Sequence, residues 1–469
     1  MLPNVPQFVI AYLAAIKLGA ILAPINPMSV AREIRMQLTD SGAEQILALD
    51  LFLDSVSEAA TGTPLKGIVV TSALDCLAFP RRLIARLSHR SGRPAPGRKP
   101  GVISWRDLLS QSKEEAPEAP YSLDDPVWLA YTGGVNGRAK AAALSHRNLV
   151  ANAIQVLSLV PNLQVGGERV LAALPLSQTF GLTACLNAAL IARSLVVLLP
   201  KFETAKVLRE IEKRRITVFL GVPAMFGTIC DCPEARQSQL ESVRVFFSGG
   251  APLTSDLQRR FEDLAGKPLA NCYGLTEASP AVTGMPPTLA SMKPGSVGKP
   301  LPGATVAVLD ARTLEPLPAG QTGELAVKGP QVMLGYWRAE EETKEVIRKG
   351  WLLTGDLASL DEDGFVYLAG RRKRMINVGG FKVYPQELEA VLNSHPAIRS
   401  AVVTGIANGY RGEIVKAVIT PAAGKTVTRA DVVAYCRSQL ARFKAPKIIE
   451  IRADDEAAQE PPAPCQPRR

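Results

Sequence analysis

Short β-branched and apolar runs separated by stretches of helical length constrain this chain more than any other feature. QILALD, GIVVTS, VLAALP, SLVVLLP, TVFLGVP and VRVFFSGG alternate with helical stretches such as Thr204–Arg214 and Ser255–Leu264. Strands that are apolar on both faces need cover on both faces, and helices between them supply it, so the pattern predicts βαβ units and a largely parallel sheet.

From about Gly295 to Gly370 the pattern changes to closely spaced strands with turn signals: TVAVLD, GELAVKG, WLLTGDLASLD and GFVYLAG. That spacing predicts an antiparallel, barrel-like subdomain, and the first large domain is placed at 1–370. The charged run at 371–374 reads as a hinge. Residues 375–451 then read as a small, mobile α+β domain, with PQELEAVLNSH and VTRADVVAYCRSQLARF as helices and AVVTGIA and IVKAVIT as strands. Residues 452–469 have several prolines and no apolar periodicity, and are expected to be a disordered tail. The expected class is α/β.

A chain of 469 residues exceeds one compact core, and 47% hydrophobic with 21% charged residues excludes a disordered or fibrous protein. The net charge of +10 favours anionic partners: nucleotides, coenzyme A, fatty acids and acidic lipid surfaces fit as well as nucleic acid does. The basic, Pro/Gly-rich stretch 81–99 reads either as a loop able to touch a membrane surface or as a solvated insertion.

Seven scattered cysteines, with only Cys230 and Cys232 close together and no histidine beside them, point to a reducing compartment and no zinc site. His89, His146 and His395 are the only histidines, so histidine-based chemistry has little material. The apolar start QFVIAYLAAIKLGAILAPINP is split by Lys17 and ends in prolines; it is expected to be a buried amphipathic helix leading into a strand. The run Leu182–Leu199, interrupted by Asn187 and Arg193, is expected to be a core helix followed by a strand. No transmembrane segment is expected, and the cytoplasm, with the inner membrane surface as a peripheral site, is the expected location.

The local motifs carry chemistry. YTGGVNGRAKAAALSHRN, 131–148, reads as a strand end, a glycine-rich turn, a basic residue and a helix. Such a loop can offer backbone N–H groups and Lys140 to phosphates, but its spacing is not that of the P-loop, and a plain structural turn fits equally well. NCYGLTEASP groups Tyr273, Thr276 and Glu277: a ring for adenine, a hydroxyl for a phosphate oxygen and a hard carboxylate for magnesium. SGGAPL after the strand VRVFF would let a ligand approach backbone, or is a structural turn. Asp356 could accept from both ribose hydroxyls, and Arg371 could pair with ribose or phosphate.

These motifs, in this order, resemble the adenylate-forming, AMP-binding superfamily, and long-chain fatty acyl-CoA ligases in particular. The family's phosphate loop, Tyr-Thr-Ser-Gly-Thr-Thr-Gly-x-Pro-Lys-Gly, is matched at Tyr131, Thr132, Gly134, Gly137 and Lys140, with Gly133 as in the long-chain ligases. Val135 and Asn136 stand where the family has threonines. Tyr-Gly-x-Thr-Glu is matched by Tyr273, Thr276 and Glu277, Thr-Gly-Asp by Asp356, and Gly-Arg-x-Lys-Asp by Arg371, with Arg374 at the hinge aspartate.

The resemblance implies further roles. Gly249, Gly250 and Ala251 border the adenine and acyl pockets. Gly379 and Gly380 line a pantetheine tunnel with Lys382 as a phosphate neighbour. Thr276, Glu277 and Lys140 are the catalytic group, with Glu277 holding Mg2+. It implies ATP, Mg2+ and coenzyme A with a carboxylic acid substrate, a fatty acid above all, and no nucleic acid.

Two departures matter. Gln178 stands where the family has histidine in Leu-Pro-Leu-x-His, and no lysine follows Lys447, where the family has Pro-x-x-x-x-Gly-Lys. MLPNVPQF resembles an internal point of the family, so the chain reads as truncated at both ends. The resemblance therefore implies either a ligase slowed in adenylation or a noncatalytic or half-active relative that binds nucleotide or acyl-adenylate.

Overall fold

The computed structural model describes residues 1–77, 101–112, 119–133, 139–286, 288, 292–371, 375–410 and 412–452. The basic stretch 81–99, most of the expected hinge 371–374 and nearly all of the expected tail 452–469 lie outside these residues, as do Gly134, Gly137 and the Arg371 side chain.

The expected alternation folds into parallel sheets. One has five strands, ordered Leu269–Asn271, Val245–Ser248, Val218–Gly221, Arg169–Ala172 and Leu195–Leu198. All of its pairings are parallel. Phe219, Phe226, Phe246 and Phe261 stack edge to face beneath it and are fully buried. A second parallel sheet of three strands, Gln45–Leu49, Gly67–Thr71 and Val102–Ser104, carries the helices Ala31–Ser41 and Leu53–Ala60.

The helix signals are local. Ser255–Ala265 starts where Thr254 Oγ1 accepts from Leu257 N and stops where Gly266 adopts φ +64. In Ala31–Ser41 the Glu33 carboxylate accepts from Val30 N at 3.1 Å, which fixes that side chain against the first turn.

The strands Thr305–Leu309, Gly323–Lys328, Trp351–Leu360 and Val366–Arg371 form a curved antiparallel sheet, as their spacing predicts. At the C-terminal end Ile398–Ala407 and Glu413–Pro421 pair antiparallel and Ile448–Ile451 adds parallel, covered by the helices Pro385–Asn393 and Arg429–Gln439 around their own core.

Two local expectations are corrected. The helix Pro6–Lys17 forms, with Gln7, Phe8 and Tyr12 buried and Ile10 and Leu13 exposed, but it does not lead into the expected strand. Leu22 alone bridges to Trp128 through two backbone bonds, and Pro24 and Pro27, lacking N–H donors, carry no pairing further. The glycine-rich segment does not run from strand into helix. Pro126–Gly133 pairs antiparallel with Ala139–Ser145, so Lys140 stands on a strand, and the helix His146–Leu157 starts only after it, capped by Ser145.

Candidate active site

The C-terminal ends of parallel strands form one rim of a cavity of about 240 Å3, the place where open α/β sheets bind ligands. Leu174, Val222, Gly249 and Gly250 lie just past strand ends, and the hairpin brings Tyr131 and Thr132 to the same wall. The C-terminal unit closes the opposite side with Gly380, Phe381, Lys382, Phe443 and Lys444. Phe381 and Phe443 stack at 4.7 Å between centroids.

Seven of the residues given a catalytic or binding role from the sequence line this cavity: Thr132, Gly249, Gly250, Tyr273, Thr276, Gly380 and Lys382; Tyr131 of the phosphate-loop motif and Gln178 line it as well. Gly249 is a close-approach glycine, since a Cβ there would lie 2.6 Å from Cys272 Sγ. Gly379 and Gly380 have φ +58 and +92 and turn the hairpin formed by Ile376–Val378 and Phe381–Val383, a conformation that favours glycine at both positions. Asn377 of that hairpin donates to the Gly250 carbonyl at 2.7 Å, so the two units meet at a predicted nucleotide-site glycine.

Of the other predicted residues whose side chains are described, Lys140, Ala251, Glu277, Asp356 and Gly379 do not line the cavity, but each adjoins or bonds to a residue that does. Tyr273 is buried, and its hydroxyl donates to Asp356 Oδ2 at 2.6 Å. Asp356 and Arg371 are Cα partners across neighbouring strands. Glu277 lies in the single turn Thr276–Ala278, where its Oε1 accepts from the Tyr336 hydroxyl at 2.9 Å. Lys140 Nζ stands 5.4 Å from the centroid of the same Tyr336 ring and 3.9 Å from Glu342. Burial, and then the Glu277 charge, push the Tyr336 hydroxyl far above the ordinary tyrosine range, so it stays a donor. Ala251 follows the rim just outside the cavity.

Tyr336 escapes the sequence reading, as do the ion pairs of Lys444. Lys444 Nζ donates to Glu33 and to Glu387, each at 2.7 Å. Burial alone would lower its pKa, but the carboxylates of Glu387 and Glu33 outweigh burial and leave it raised. The sequence signal for Tyr336 is the GYW triplet after a strand, which is weak in isolation. A glutamate inside the apolar stripe of the helix Ala31–Ser41 is the only hint of the Lys444 contact.

Among the described residues no three His, Cys, Asp or Glu side chains cluster as a metal cage, and no helix is long and apolar enough to cross a membrane.

A strand-end cavity closed by a small C-terminal unit is the architecture of the AMP-binding enzymes, and this chain belongs to that family. The AMP-binding enzyme domain matches residues 1–337 and the AMP-binding enzyme C-terminal domain matches residues 387–457. The chain is 36% identical over 458 residues to a long-chain-fatty-acid–CoA ligase of Bacillus subtilis strain 168, covering 97% of this chain and 81% of that relative. It is 35% identical over 464 residues to the enzyme of the same name from Escherichia coli O6:H1, covering 96% and 81%. Among solved structures it resembles ATP-bound MatB from Rhodopseudomonas palustris, at 30% identity and a TM-score of 0.69, covering 96% of this chain and 83% of that one. It also resembles a double mutant of o-succinylbenzoate CoA synthetase from Bacillus subtilis, bound to a product analogue, OSB-NCoA. There the identity is 26% and the TM-score 0.78, with the same coverage.

Proposed function

We propose that this chain is an ATP-dependent long-chain acyl-CoA ligase. A fatty acid carboxylate oxygen attacks the α-phosphorus of ATP and expels pyrophosphate, giving acyl-AMP; the thiol of coenzyme A then attacks the acyl carbon, losing its proton to solvent, and AMP leaves with the electrons of the broken C–O bond. The observation that carries this reading is one cavity walled by Tyr273 and Thr276 on one side and by Gly380 and Lys382 on the other, so that the groups assigned to nucleotide and to thiol face the same space.

In this reading Tyr273 stacks on adenine, Asp356 and Arg371 take the ribose and phosphate, and Thr132 and Thr276 donate to phosphate oxygens, as would the loop of Gly134 and Gly137. Gly249, Gly250 and Ala251 border adenine and acyl chain, and Gly379 and Gly380 pass the pantetheine arm toward Lys382. Lys140 offsets phosphate charge. Such chemistry rests on positioning and charge stabilisation rather than on a protein nucleophile.

Mg2+ fits the donor set. It prefers one or two carboxylates plus substrate phosphate oxygens over an all-protein cage, and Glu277 beside the cavity offers that single carboxylate. When bound it neutralises charge on the phosphates.

The test is acid-dependent exchange of labelled pyrophosphate into ATP across short, long and aryl acids, with Glu277→Ala as control. Exchange that peaks with long-chain acids and vanishes in the control supports the ligase. A second reading, a relative that binds nucleotide without adenylating, draws on the absence of lysine from residues 448–469. ATP binding with no exchange from any acid selects it, and the ligase reading then fails.

A further inference from the structure

A carboxylate that is to hold a cation must present one oxygen in a fixed direction, and a glutamate on a single turn has three side-chain torsions that allow many. Glu277 sits on such a turn. Its backbone is tied by Met333 N, which donates to the Glu277 carbonyl at 2.9 Å. Its side chain is tied by Tyr336, 59 positions away, at 2.9 Å. Both ties come from one segment, 333–336, and that segment is itself held: Gly335 and Tyr336 pair with Ala143 and Ala142, and Tyr336 N donates to Thr343 Oγ1 at 2.8 Å.

The Tyr336 ring does a second thing. Lys140, on the strand that pairs with Tyr336, lies over the ring at a distance where a cation and an aromatic face attract. One tyrosine therefore touches both a carboxylate and an ammonium of the predicted phosphate site, through different parts of the same side chain.

We propose that Tyr336 is a positioning residue: its hydroxyl occupies Glu277 Oε1 and so directs Oε2 to a divalent cation carried by the nucleotide, while its ring holds the Lys140 ammonium on the phosphate side. This rests on the reading of the site as an adenylating one with Glu277 at the metal. It adds that Glu277 contacts the cation through one oxygen only, and that the tyrosine hydroxyl sets the cation's affinity without touching it.

A purely structural tyrosine would stabilise the fold and leave metal binding unchanged. Tyr336→Phe separates the two, because it keeps the ring, its packing and the Lys140 contact and removes only the donor. The experiment uses the full chain and Mn2+ as the probe, titrated by electron paramagnetic resonance with and without ATP. The proteins are wild type, Tyr336→Phe, Glu277→Gln and the double variant, with thermal unfolding of each as the check on folding.

The expected result is ATP-dependent Mn2+ binding by the wild type, and about tenfold weaker Mn2+ affinity in the ATP complex of folded Tyr336→Phe, the usual scale for losing a group that orients a metal ligand. Nucleotide affinity without Mn2+ should be unchanged in that variant, and the double variant should be no weaker than Glu277→Gln alone. Equal Mn2+ affinity in wild type and Tyr336→Phe, with Glu277→Gln impaired, overturns the role of Tyr336 and leaves the adenylating site standing. No loss in Glu277→Gln, or no ATP binding by the wild type, overturns the reading of the site and this inference with it.

Discussion

Lys444 donates to Glu33 at 2.7 Å across 411 positions of sequence, joining the C-terminal unit to a helix of the N-terminal sheet at the edge of the cavity. A further bond of the same length ties Lys444 to Glu387, and all three side chains are at most 16% exposed. Glu33 has no freedom to follow a departing partner, because its other oxygen accepts from Val30 N. Replacing Lys444 with Met therefore leaves two partly buried carboxylates facing each other. Breaking such an arrangement costs about 3 kcal/mol. The expected outcome is a more open arrangement of the two units, read as a larger radius of gyration by small-angle scattering; an unchanged radius would refute it.

The same ion cluster sets a pH dependence. Burial lowers the Lys444 pKa but its two carboxylates raise it further, so the folded value stands above the ordinary 10.5. A raised basic group contributes stability that is complete below its ordinary pKa and is lost as pH rises through the folded one. Closure of the two units should therefore hold through neutral and mildly alkaline pH and loosen only above about 10.5. In Lys444→Met that alkaline transition should be missing from a scattering titration.

Gly249 predicts a rescue. A Cβ at this position meets Cys272 Sγ at 2.6 Å, Phe180 Cζ at 3.3 Å and the Cys272 carbonyl at 3.4 Å. Overpacking of this kind costs about 1–3 kcal/mol, and here the strain falls on the cavity wall. Gly249→Ala should lower both stability and ATP affinity, and adding Cys272→Ala should recover part of each by removing the nearest atom. Calorimetry of the two variants checks it; a double variant no better than the single one would count against the contact.

How far the sequence reads depends on how local the determinant is. The strands Val218–Gly221 and Val245–Ser248 and the helix Ser255–Ala265 announce themselves because apolar runs, a threonine cap and a stop glycine all lie within the element. The Gly379-Gly380 turn is equally local, two adjacent glycines taking positive φ, yet the sequence reading assigns them to a pantetheine tunnel and not to a hairpin turn. The strand Ala139–Ser145 does not announce itself, because its pairing with Pro126–Gly133 is a tertiary choice that a strand–loop–helix reading of YTGGVNGRAK misses. Tyr336 and Glu33 are invisible for the same reason: their partners, Glu277 and Lys444, are brought to them by folding across long stretches of chain.

Tyr273 and Asp356 supply the last prediction. Both are buried, and the tyrosine hydroxyl donates to Oδ2 of the aspartate at 2.6 Å. In Tyr273→Phe the ring stays in place, so contact with an adenine face is kept, while the carboxylate loses a charge-assisted donor. A hydrogen bond to a charged group is worth about 1.5–3 kcal/mol, and folding stability should fall by that order in a urea titration. The functional readout differs from the structural one. If Asp356 takes the ribose hydroxyls, the wild type should bind ATP more tightly than 2′-deoxy-ATP, and a carboxylate released from Tyr273 should discriminate less between them. Calorimetry with both nucleotides decides it: a variant that is less stable but keeps the full preference would make the Tyr273–Asp356 bond a matter of folding alone.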